Sequence, residues 1–128
     1  MTTLTEFLLN RITEDEIAAT GASPGPWDYA GQGQVRHGDT TIGSDQFPEV
    51  LAAEVRREQD GLHIARHDPA HVLAECAAKR ELIKAWQSHR RAKGYSEVNF
   101  AAGLGWAVRA LVAVYATHPE YNADWTLA

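Results

Sequence analysis

The sequence holds one cysteine and one methionine in 128 residues. A single cysteine excludes an internal disulfide framework and any zinc site built on several thiolates. It suits a reducing compartment, and a cytoplasmic setting is expected. Basic charge is scarce as well. Twelve Lys and Arg stand against seventeen Asp and Glu, giving a net charge of −5, which disfavours a globally basic nucleic-acid binder. No phosphate-cradling Gly-Lys-Ser/Thr loop exists, and the glycines at 31, 33, 38 and 43 lack the strand-then-helix context of a dinucleotide loop. Ser44, Ser88 and Ser96 sit in no nucleophile-elbow context. The longest apolar stretch, Phe100 to Tyr115, falls short of the ~20 residues a bilayer needs and carries Arg109 near its middle. Met1-Thr2-Thr3 supplies no basic start before an apolar run, so neither a signal peptide nor a membrane anchor is expected. These absences leave no catalytic residue and no cofactor to assign.

What is present is an ordinary globular composition. The hydrophobic fraction is 45%, with four Trp, four Tyr and three Phe, and a chain of this length buries about two thirds of its unfolded surface. One domain over residues 1–128 is expected. Thr3 and Glu6 form a capping-box pattern that opens a helix over 4–19, with Leu4, Phe7, Leu8, Ile12 and Ile17 on its apolar side and Gly21 ending it. Ser23-Pro24-Gly25-Pro26-Trp27 is a fixed turn. A β-rich segment follows over 27–43, a hairpin or meander that packs through Trp27, Val35 and Ile42. Residues 47–60 read as a helix with Pro48 in its first turn, or alternatively as an edge strand from Val50 to Val55. A short helical turn covers Leu62 to His67. Asp68-Pro69 is the clearest start signal, an N-cap followed by proline at the first helical position, and it opens a long helix over 69–93. Its apolar seam is Val72, Leu73, Cys76, Ile83 and Trp86. Ser96 caps a helix over 97–117 that is apolar nearly all round, which predicts burial on most sides. The tail 118–128 carries Tyr121 and Trp125 and is expected to dock. The predicted fold is therefore α+β and helix-rich, with about three main helices and a small antiparallel β element.

The order of short motifs is distinctive: Pro24-Gly25-Pro26-Trp27, then His63-Ile64-Ala65-Arg66-His67-Asp68-Pro69, then His118-Pro119 and Tyr121. In this the chain resembles a family of short actinobacterial and actinophage proteins of unknown function. The resemblance covers most of the chain, and the His-to-Pro heptapeptide is its most specific part. It implies a small cytoplasmic protein of actinobacterial or phage origin and brings no activity with it.

Two constellations could carry chemistry. His63, His67 and His71 recur every four residues beside Asp68. On one continuous helix three imidazoles would share a face, a donor set suited to zinc or a similar ion. Pro69 disfavours helical backbone at Asp68, so a restart there is expected to turn His71 away. The plain alternative is a pair of hydrogen-bonded histidines at a helix junction. The second constellation is Lys79, Arg80, Lys84, Trp86, Arg90 and Arg91, in a segment (56–93) of net charge +4 between a segment of −7 and one of −2. Basic residues interleaved with an aromatic suit an acidic partner or nucleic acid, and positive charge also complements a helix C-terminus. The leading expectation is a non-enzymatic binding or regulatory protein that acts on an unidentified protein partner, with a homodimer compatible with its apolar surface. The alternatives are a small metal-dependent enzyme centred on the three histidines and nucleic-acid binding through residues 79–93.

Overall fold

The computed structural model describes residues 2–37, 51–91 and 93–126. The expectations placed on Ile42, Ser44, Phe47, Pro48 and Val50 lie outside these. Among the described residues the elements run α1 (Leu4–Gly21), β1 (Trp27–Tyr29), β2 (Gln34–His37), β3 (Leu51–Glu54), α2 (Glu58–Arg66), α3 (Pro69–His89) and α4 (Tyr95–Ala113), with a 3-10 turn at Ala123–Trp125. The fold is helix-rich α+β, and the strands form an antiparallel meander in the order β1-β2-β3. Two compact units emerge: Met1–Glu14 with Cys76–Ala128, and Asp15–Glu75.

In the first unit, the capping box at Thr3 and Glu6 forms. The Glu6 amide donates to Thr3 Oγ1 (3.1 Å), and the Thr3 amide donates to Glu6 Oε2 (3.0 Å). The Thr3 backbone N–H, then its side chain, holds the Glu6 carboxyl below its ordinary value of 4.5. A depressed folded value stabilises the helix start above the ordinary carboxyl range, and that contribution fades as pH falls through the folded value. One turn on, Phe7 is fully buried and ringed by aromatics: Trp125 at 5.0 Å between centroids, His118 at 5.4 Å, Tyr121 at 6.2 Å and Tyr115 at 6.5 Å. Edge-to-face geometry of this kind adds about 0.5–1.5 kcal/mol per pair beyond area burial. Buried Arg11 lies over the Phe7 ring at 5.1 Å, donates to Glu14 at 2.9 Å and meets the His118 ring. The tail is thus packed against the start of α1. Leu8, Ile12, Cys76, Ile83, Val108 and Val112 complete the buried set.

Several sequence expectations need correction. Residue 17 is not on the buried side of α1, because Ile17 is two-thirds exposed. α3 ends at His89, not 93, and the His89 ring Nδ1 lies 2.7 Å from the Ala85 carbonyl, where it serves the last turn. Gly94, not Ser96, is the N-cap of α4, in extended backbone with no side-chain cap. α4 ends at Ala113 because the chain tightens into i→i+3 bonds from Val114, Tyr115 and Ala116, which swing Tyr115 toward Phe7. The largest correction concerns its burial. Val108 and Val112 are buried, yet Tyr95, Val98, Phe100 and Trp106 are exposed. A helix covered along one stripe hides only that stripe, whatever the hydrophobicity of the rest.

In the second unit, β2 is the central strand. Val35, fully buried, pairs with Tyr29 on one side and Ala53 on the other. The next pair is Arg36 with Leu51, so Ala52 is an extra residue that bends β3. Residues 51–54 are therefore strand, as in the edge-strand alternative for this segment and not the favoured helix over 47–60, and α2 begins at Glu58. Leu-Ala-Ala-Glu is helix-prone, but the open edge of β2 supplies ladder bonds that outweigh local preference. The turn Gly31-Gln32-Gly33 has three successive positive φ angles (78°, 55° and 74°), and the Val55 amide donates to the Gly33 carbonyl at 2.7 Å. α2 packs over β1 through Gly61, whose missing side chain makes room for the Tyr29 ring.

Two glycine substitutions should have opposite signs. Gly61→Ala gains helix propensity of about 1 kcal/mol but drives a methyl into the Tyr29 ring, so a net loss of about 1–3 kcal/mol is expected. Gly103→Ala in α4 meets nothing within 4 Å and should gain about 0.5–1 kcal/mol. Chemical denaturation of both variants checks this; a neutral Gly61→Ala would contradict the packing of α2 on Tyr29.

Candidate functional site

The centre of the second unit is the Asp68 carboxylate, which is buried. Its Oδ1 accepts from the His71 amide at 2.8 Å, the N-cap bond of α3. Its Oδ2 accepts from the Trp27 amide at 3.0 Å, at the first residue of β1. Gly25 lies so close that a Cβ there would sit 3.0 Å from Oδ2. The Trp27 indole N–H in turn donates to the Ser23 carbonyl at 2.8 Å. The Asp-Pro start signal and the Pro-Gly-Pro-Trp turn, 41 residues apart, are thus two halves of one junction.

The helix break at Asp68 does not turn His71 away, contrary to expectation. The break takes only residues 67 and 68, and the rings stay in file: His63 and His67 centroids are 4.4 Å apart, His67 and His71 centroids 5.8 Å. Two of the three have assigned partners. The His67 ring Nδ1 lies 2.7 Å from the His63 carbonyl, and His71 Nε2 lies 2.9 Å from Glu75 Oε1. A carbonyl only accepts, so His67 Nδ1 carries a proton. Among the described residues no three His, Cys, Asp or Glu groups are grouped to hold an ion.

Beside the histidine file lies an open cleft of about 300 Å³. Ala18 and Ala19 from the end of α1, Ala22 just beyond it, Trp27, Pro69 and Val72 make its apolar walls, and Asp15 and His67 are its polar members. The sequence pointed to neither Asp15 nor Trp27 as a site residue. Asp15 read as one of three solvated acids and Trp27 as a turn aromatic, because only the fold brings them to His67.

The basic constellation divides into two faces. Arg80, Lys84, Gln87 and Arg91 recur at helical spacing on one side; Lys79, Trp86 and Arg90 share another. The second face is engaged within its own unit. Arg90 lies over the Trp86 ring at 5.1 Å, Lys79 over the Tyr115 ring at 5.5 Å, and Trp86 Nε1 abuts Gly105. Arg80 also donates to Thr13 at 2.9 Å. Trp86 is therefore a packing residue, and the aromatic that a stacking platform needs is already covered.

A helix-rich α+β protein with an Asp68 junction, a histidine file and no recognised catalytic motif matches one family model over residues 1–127. The chain belongs to that family, a family of unknown function, DUF6221. No curated protein and no solved structure matches the chain.

Asp68→Ala should cost about 2–5 kcal/mol, since it strands two backbone N–H groups at about 1–3 kcal/mol each. Asp68→Asn keeps the N-cap acceptor and should lose less, about 1–2 kcal/mol. Urea unfolding ranks the two; equal losses would show that the charge, not the paired acceptors, holds the junction.

Proposed function

We propose that this is a non-enzymatic binding protein that acts by docking on a protein through the outer face of α4, and that the protein it docks on is a second copy of itself. One observation carries the reading. Tyr95, Val98, Ala102, Trp106 and Ala113 follow one another at three-, four- and seven-residue spacing along a side of α4 turned away from Val108, with exposed Arg109 among them, and Trp106 is 63% and Tyr95 86% exposed. Trp and Tyr are the residues that most often anchor interfaces, and an exposed apolar stripe marks an interaction surface.

The stripe is self-complementary. When two α4 helices cross antiparallel near residue 104, residue 106 of each faces residue 102 of the other. The large Trp106 then enters the space left by Ala102 and Gly103, once on each side of the two-fold axis. α4 is 19 residues, ~28 Å long, and such a contact buries on the order of 1,000 Å² in total, the scale of a weak, reversible dimer. A cytoplasmic location and an actinobacterial or phage-associated origin fit this reading. Its supports are the motif resemblance and a lone, buried cysteine outside any disulfide. No described helix is long and apolar enough to cross a membrane.

Sedimentation of the full chain across a concentration series tests the proposal. Reversible dimerisation is expected, and Trp106→Glu should weaken it by about a hundredfold, ~2.7 kcal/mol, without a change in helix content. A monomer at every concentration up to about 1 mM, where binding is worth only ~4 kcal/mol, overturns the second-copy reading. So does a dimer that Trp106→Glu leaves intact.

A further inference from the structure

We propose that the hollow at the C-terminal end of α3 is a binding site for a small phosphorylated polyol, a phosphate head on a hydroxyl-bearing body of sugar size. The inference is independent of α4 and goes beyond the docking reading. The hollow holds about 520 Å³, inside the range of small-molecule sites, and is lined by Gln87, Ser88, Arg90 and Arg91. Among the described residues its lining includes no carboxylate and no apolar side chain.

The chemistry of these four side chains selects the ligand. Each guanidinium is a fork of N–H donors with no acceptor, and it keeps its charge at any pH near neutrality. Among the described residues neither arginine pairs with a carboxylate. Arg90 lies over the Trp86 ring at 5.1 Å, a contact that holds the head in place without supplying it an oxygen acceptor. Arg91 is exposed and has no partner among the described residues. The end of α3 opposes the two charges with only about half a negative charge, so the hollow is net positive. Phosphate oxygens are the acceptors that such forks match best. The other two side chains face the body of the ligand. The Ser88 hydroxyl gives its proton to the Lys84 carbonyl at 2.9 Å, so it presents lone pairs, and the Gln87 amide presents both an oxygen and an NH2 group. These suit hydroxyls on the group that carries the phosphate. A metal cation would meet two guanidiniums, and an apolar body would find no apolar wall.

Three probes decide the matter on the full-length protein at fixed low salt: ribose 5-phosphate, inorganic phosphate and ribose. NMR titration gives affinities, and the Ser88 and Arg91 amide resonances report the location. Ribose 5-phosphate is expected to bind at about 1 mM, about tenfold tighter than inorganic phosphate, and ribose not to bind. Arg91→Gln should weaken both phosphate-bearing probes about tenfold. Arg66→Gln, which removes the same charge from an exposed position outside the hollow, should change neither. Ser88→Ala should weaken ribose 5-phosphate about threefold and leave inorganic phosphate unchanged. Equal affinity for ribose 5-phosphate and inorganic phosphate, no binding of ribose 5-phosphate up to about 10 mM, or an Arg66→Gln loss that matches Arg91→Gln would overturn the proposal. A short single-stranded RNA that binds the same resonances more tightly, with a steep salt dependence, assigns the arginines to a nucleic-acid backbone and overturns it as well. Because Trp106 does not line this hollow, loss of dimerisation in Trp106→Glu and loss of phosphate binding in Arg91→Gln are separable results.

Discussion

One buried carboxylate organises half of this protein. Asp68 accepts hydrogen bonds from two backbone amides, that of His71 in the first turn of α3 and that of Trp27, 41 positions back in the chain, which opens β1. A carboxylate out of water is costly unless its lone pairs are satisfied, and two N–H groups away from water are costly unless they find an acceptor. The arrangement meets both needs with one side chain. It also dictates the neighbours. Residue 25 must be glycine-sized because the carboxylate occupies the space a Cβ would need to approach. Trp27 must begin its strand where it does, which sets the register of Trp27 with His37 and of Tyr29 with Val35, and so the meander.

The same residue explains the histidine file. Asp68 and Pro69 stop α2 and restart α3 within two residues, short enough for His63, His67 and His71 to remain ring against ring. By capping α3, Asp68 offsets the positive end of that helix.

Much of this was legible in the residues themselves, and the failures have identifiable physics. Thr3 with Glu6 and Asp68 with Pro69 are local signals, complete within four residues, and both caps form as read. The helix-rich α+β class follows from signals of the same short range. Over Leu51 to Glu54 helix was favoured and an edge strand was the alternative; the strand forms because the edge of β2 pairs with it, and Leu-Ala-Ala-Glu alone does not decide between the two. His71 failed because a helix break was treated as a change of direction, when its size decides whether side chains stay aligned. The basic segment was read as one patch; helical spacing splits it, and Arg90 over Trp86 closes half of it. Asp15 and Trp27 were seen singly, since their meeting with His67 is a product of the fold alone.

α4 poses the sharpest question of cause. Its inner stripe, Val108 and Val112, accounts for its attachment to its own unit, and a helix with that stripe and a polar outer side would fold equally well. Tyr95 and Trp106 are largely exposed and Val98 about half, and exposed apolar surface of this kind lowers the solubility of the isolated chain. Periodicity could not separate the two faces, because an apolar residue facing a core and one facing a partner write the same pattern. Burial separates them, and the face it leaves open alternates a large ring with Ala102 and Gly103. A surface that carries both the projection and the matching gap is one that a second copy of the same surface can fill, and this is why a copy of the chain is the occupant that the shape of α4 argues for.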